Sequence, residues 1–106
     1  MADNIYKKYS PMTEATYYAL LALREPRHGY AIMQFIQQLT EGRIKMGTGT
    51  LYTMLGRLVE DAVIAVVEAE SGKKTYQITE LGEEIIRMEI ERLRKQLENG
   101  EEVYGK

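Results

Sequence analysis

One histidine (His28), no cysteine and no tryptophan restrict the chemistry open to this 106-residue chain. Without cysteine there is no disulfide framework, no thiolate zinc site and no thiol nucleophile, and a lone histidine makes no ligand pair. Acid–base catalysis needs carboxylates converging in a cleft. Here they gather near the end of the chain at spacings such as Glu83–Arg87 and Glu91–Lys95, the pattern of solvated pairs on a helix. We therefore expect no enzyme, and no catalytic, metal-binding or cofactor-binding residue. What remains is the chemistry of bases and hydroxyls. Between Glu41 and Glu60 there is no acid, but there are Arg43, Lys45 and Arg57, with Thr48, Gly49, Thr50, Tyr52 and Thr53 among them. A second acid-free stretch, Ser71 to Thr79, holds Lys73 and Lys74. Two basic islands on a chain of net charge -2 suit contact with phosphates.

Periodicity supplies the elements that would position these groups. Met12–Leu23 and Gly29–Leu39 repeat their apolar residues at helical spacing, with Thr13 able to cap the first and Pro26 ending it. A third helix runs from Thr48 or Gly49 to Asp61. Its Leu51, Met54, Leu55 and Leu58 share one arc, and Thr50, Thr53 and Arg57 share the opposite one. Val63–Glu70 and Lys73–Ile78 read as two strands joined at Ser71-Gly72. Thr79 then caps a last helix reaching about Asn99, with Asn99-Gly100 as its stop and EEVYGK as a frayed tail.

Three helices followed by a hairpin is the order of a winged helix-turn-helix, in which the last helix of the trio enters the major groove of DNA. The fold class is thus mainly α with a small β-hairpin. Residues 1–78 form the DNA-binding domain, and residues 79–106 a C-terminal dimerisation helix with its tail. Small and hydroxyl-bearing residues on the third helix permit close approach, and Arg57 can read guanine or clamp a phosphate. Its alternative is a salt bridge to Glu60 or Asp61. Lys73 and Lys74 at the hairpin tip would reach the neighbouring backbone. Tyr30 is expected to pack on the core with a polar tip, and His28 to serve a turn or cap. On the last helix, Leu81, Ile85 and Met88 would dock on the domain. Ile86, Ile90, Leu93 and Leu97, about 140° away, would form the seam of a homodimer.

The segments LLALREPRHGYAIMQFI, GTLYTMLGRLVEDAVI and KKTYQITELGEEII resemble signature blocks of the PadR-like transcriptional regulators, over about Leu20–Ile86. The resemblance implies a dimeric winged-helix repressor of operator DNA, often released by a small hydrophobic or phenolic effector. It also implies that the N-terminal segment packs on the partner's last helix, placing Tyr17 in the dimer interface. Tyr6, Tyr9 and Tyr18 are then either an effector pocket or an aromatic edge of the core. Departures from the pattern are Gly47-Thr48 before the third helix, Thr53 where proline is common, and Ala62 for a turn glycine, which predicts a less sharply bent junction. Room for a single C-terminal helix resembles the short subfamily. A dimeric adaptor without DNA binding is the rival reading. No apolar run approaches the roughly 18 residues of a membrane span, and MADNIYKKYS lacks a signal peptide's apolar stretch, so a cytoplasmic location and no membrane partner are expected.

Overall fold

The structure, a computed structural model, describes residues 2–105. Helices α1 (Ala2–Lys8), α2 (Glu14–Ala22), α3 (Gly29–Leu39) and α4 (Thr48–Glu60) precede strands β2 (Ile64–Glu70) and β3 (Lys73–Ile78) and helix α5 (Glu80–Tyr104). A two-residue strand β1 (Arg27–His28) lies between α2 and α3. Thr13 caps α2 through its side chain, as its position before the apolar run requires. The α4 arc of Leu51, Met54, Leu55 and Leu58 is buried in one core with Leu20 of α2, Leu23 just after it, Ile32 and Ile36 of α3, and Val63 and Ile64. Apolar burial of these side chains, roughly 1.5–3 kcal/mol each, holds the trio and the hairpin together.

Four expectations need correction. The sheet has three strands in the order β1-β3-β2, with Arg27 opposite Tyr76 and His28 opposite Thr75. Two residues after a proline are too few to show alternation. The chain also begins with α1, a helix of seven residues whose periodicity is too brief to read. At the α4–β2 junction Ala62 adopts φ 60, so the turn is made without glycine at the strain of a left-handed alanine. Finally, α5 passes through Gly100 and runs to Tyr104, where Gly105 at φ 77 follows it. A glycine inside a helix costs only about 1 kcal/mol relative to alanine.

The docking of α5 also differs from expectation. Its buried residues are Gly82, Ile85, Ile86 and Glu89, on an arc between the two anticipated stripes. Met88, expected to dock, is 55% exposed, and Ile86, expected at the dimer seam, is in the core. Two local features turn the helix this way. Gly82 lies so close to the wing that a Cβ there would sit 2.2 Å from the Val63 carbonyl oxygen and 2.6 Å from Ile78 Cγ1. Glu89, only 3% exposed, accepts hydrogen bonds from the Met12 backbone N–H (3.2 Å) and from Arg92 Nε and Nη2 (2.9 and 2.6 Å). Arg92 and the Met12 amide hold the Glu89 carboxyl below its usual pKa, against the opposing effect of burial.

A carboxyl whose pKa is lower in the folded state stabilises the fold at pH values above its unfolded pKa. That stability is lost as pH falls through the folded value. Glu89→Gln should therefore cost about 1–3 kcal/mol at neutral pH, because Arg92 is half-buried and can rehydrate. The gap to the parent should narrow below about pH 4.5, the ordinary value for this group. Urea unfolding across pH 3–7 tests this, and a gap independent of pH would mean that the charge of Glu89 does not stabilise the fold.

Candidate nucleic-acid interface

With its apolar arc buried, α4 presents Thr48, Gly49, Thr50, Tyr52, Thr53, Gly56 and Arg57 to solvent. Its first turn carries no acid, and Gly47 precedes it in extended conformation with no side-chain cap. No side chain caps the backbone N–H groups that open α4, which leaves them able to meet an anion. Lys45 is exposed just before this end. At the other side of the face stands the wing. Its turn residues Ser71 (φ 52) and Gly72 (φ 78) both take the left-handed conformation that a tight hairpin needs, which sets Lys73 and Lys74 exposed at the tip.

Between wing and helices is a recess of about 420 Å³ lined by Gly29, Tyr30, Tyr52, Lys73 and Lys74, with Tyr76 beneath. Tyr52 lies across the start of α3. A Cβ on Gly29 would meet the Tyr52 hydroxyl at 2.3 Å, so glycine there lets the ring settle on the helix end. Burial raises the pKa of Tyr76, and neighbouring Tyr52 raises it further. His28 Nδ1 lies 3.1 Å from the Lys74 carbonyl oxygen and 3.2 Å from Thr75 Oγ1, binding the first strand to the wing. Tyr30 is 67% exposed on this side rather than packed on the core. It opens α3 on the helix's outer face, which the Ile32–Ile36 spacing indicates once the inner arc is known.

Two of the basic residues are engaged elsewhere. Arg43 pairs with Glu14 at 3.1 Å and donates to the Tyr18 hydroxyl at 2.9 Å, so it braces α2 against the α3–α4 connection. Arg57 is exposed, but its guanidinium lies beside the Tyr9 hydroxyl and close enough to Asp61 to help lower that carboxyl's pKa. The ion pair to Asp61 is made instead by Lys8, at 2.7 Å. Arg57 thus stands at the edge of the outward face, beside a cluster that joins α1 to the end of α4.

The N-terminal tyrosines are dispersed. Tyr9 is in the core and donates to Asp61 at 2.5 Å, and burial followed by Asp61 pushes its pKa well above the usual tyrosine value. Tyr6 donates to Glu84 at 2.7 Å, while Tyr17 and Tyr18 meet edge to face at 5.3 Å. Tyr6 and Tyr9 share a recess of only about 160 Å³ with Met88, Glu89 and Arg92, and Tyr18 is not part of it. On α5, Ile90 and Leu93 are half-buried and Leu97 is 62% exposed.

The family model of the "Transcriptional regulator PadR-like family" matches residues 18–88, which hold α3, α4 and the whole wing. The chain belongs to the PadR-like family. PadR-like proteins are transcriptional regulators rather than enzymes. Among curated proteins, the transcriptional regulator YqjI of Escherichia coli is 37% identical over 59 residues, which cover 56% of this chain and 28% of YqjI. The chain thus matches little more than a quarter of that relative's length. Among solved structures, a PadR-like transcription factor from Bacteroides fragilis is similar with a TM-score of 0.68 and 26% identity, covering 94% of this chain and 98% of that one. A complex of RosR, a protein of H. salinarum, has a TM-score of 0.71 at 21% identity over 84% of this chain and 79% of that one, a likeness of fold. Among the described residues no helix is long and apolar enough to cross a membrane.

Proposed function

We propose that this PadR-like protein is a homodimeric repressor that binds an inverted-repeat operator in duplex DNA. The carrying observation is the acid-free outward face of α4 flanked by the two-lysine wing tip. Thr48, Gly49, Thr50 and Thr53 enter the major groove, where small residues allow the helix to approach and hydroxyls meet phosphates or base edges. Lys45 and the open N-terminal end of α4 take one phosphate, and Lys73, Lys74 and Tyr52 around the recess take the backbone beyond. Arg57 acts at the rim of the face. Arg43 supports the reading least, since Glu14 already neutralises it.

Dimerisation runs along Ile90, Leu93 and Leu97 of α5, with Tyr17 beside them. A small-molecule effector that releases the DNA sits at this seam. The recess beside Tyr6 and Tyr9, about 160 Å³ and on the Met88–Arg92 side of α5, is too small for it, since sites for such ligands run from roughly 300 Å³. Selection of random duplexes with the purified protein tests the reading. An enriched inverted repeat with half-sites about one helical turn apart is expected. Recovery of no preferred sequence, with no salt-dependent retention of duplex, would favour the adaptor.

A further inference from the structure

We infer that Lys8 is a positioning residue for DNA recognition: by holding the Asp61 carboxylate it leaves the Arg57 guanidinium free for a base or phosphate. This rests on the DNA-binding function proposed above and concerns how one of its contacts is kept available. Asp61 closes α4 as its C-cap, and its backbone N–H donates to the Arg57 carbonyl oxygen at 3.0 Å, one turn back. A carboxylate at this end of a helix meets the negative pole of the helix dipole, so it needs a cation. Arg57, four residues earlier, is the cation its own helix offers. That pair, if it formed, would draw the guanidinium along α4 and away from the outward face.

The carboxylate is instead met from outside the helix. Lys8 Nζ lies 2.7 Å from Asp61 Oδ2, and the Tyr9 hydroxyl donates to the same oxygen at 2.5 Å. These donors are consecutive residues at the end of α1, anchored by the Tyr9 ring in the core. The Asp61 side chain is only 15% exposed, so solvent screens its pull on a cation less than it would at the open surface. Lys8 and Tyr9 hold its carboxyl below the usual carboxylate pKa, which keeps it ionised at neutral pH. Arg57 is within reach of this charge, beside the Tyr9 hydroxyl, yet it is in no ion pair among the described residues. Two cations share one carboxylate, and the geometry leaves the surplus positive charge on Arg57, at the rim of the α4 face. Without the Lys8 ammonium, the remaining charges are Arg57 and Asp61 on one helix, and they pair.

Affinities of full-length variants for the selected duplex, and for duplexes with single base-pair changes, test this. Lys8→Met should weaken binding on the order of ten-fold, the scale of one arginine contact to a base. It should relax selectivity at the same base pair as Arg57→Ala does. In the Arg57→Ala background it should cost nothing further, because the contact it withdraws is already gone. Lys8→Arg should bind like the parent, and Lys8→Met/Asp61→Asn should recover the parent's affinity. Circular dichroism checks that each variant is folded. Parent-like binding by Lys8→Met would overturn the inference, as would a loss that Asp61→Asn does not restore. An equal loss with and without Arg57 would overturn it too, and make Lys8 a phosphate contact in its own right. If the parent selects a duplex that Arg57→Ala binds equally well, this inference fails while the DNA-binding function stands. A parent that selects no duplex would overturn both.

Discussion

Gly82→Ala should destabilise the protein by about 2–4 kcal/mol, even though alanine is the better helix former by about 1 kcal/mol. The added Cβ would lie 2.2 Å from the Val63 carbonyl oxygen, which is backbone and cannot swing aside. That carbonyl also receives the Thr79 backbone N–H at 3.1 Å and the Thr79 hydroxyl at 2.9 Å, so moving it disrupts the cap of α5 as well. The whole of α5 would have to lift from the wing, loosening the packing of Ile85 and Ile86. Chemical denaturation of the variant against the parent measures the effect. Stability equal to the parent's would mean that α5 does not dock through this close approach.

Leu93→Glu should act on the proposed association instead of on folding. Leu93 lies outside the buried core of the single chain, so helical content should survive. In the proposed homodimer the substitution places a carboxylate on the seam in both copies at once, in apolar surroundings with Ile90 and Leu97. Sedimentation should show monomers. Operator affinity should fall by roughly 10²–10⁴-fold, because the two half-sites lose the advantage of linked binding. An unchanged dimer mass would move the interface off this stripe of α5.

The readability of this chain follows the range over which each feature is determined. Leu51, Met54, Leu55 and Leu58 announce α4 and its buried arc because a single helical period fixes both. The outward Thr50, Thr53 and Arg57 follow by subtraction. The wing strand Lys73–Ile78 is legible from its alternation and from the Ser71-Gly72 turn. Features set by distant parts of the chain are not legible in this way. Whether Tyr9 lines a pocket or the core depends on Asp61, 52 positions on. Arg43 reads as a free cation until Glu14 is placed beside it. Gly82 looks like part of a helix-capping sequence, and only the position of the Val63 carbonyl shows that it is the point of closest approach. Glu89 resembles the solvated acids around it on the last helix. Its position between two apolar stripes, with Arg92 three residues on, is the local signal that it is buried and paired.

The role of the wing in DNA binding is open to a direct measurement: equilibrium affinity for the selected duplex across a range of salt, for the parent and for Lys73→Ala/Lys74→Ala. If both lysines meet phosphates beside the face of α4, the variant should bind every sequence more weakly. Its plot of log affinity against log salt should be shallower by about 0.9 for each phosphate the lysines no longer neutralise. The preferred sequence should stay the same, since the bases are read by α4. A variant with the parent's affinity and slope would contradict this assignment and place the DNA on another face of the molecule.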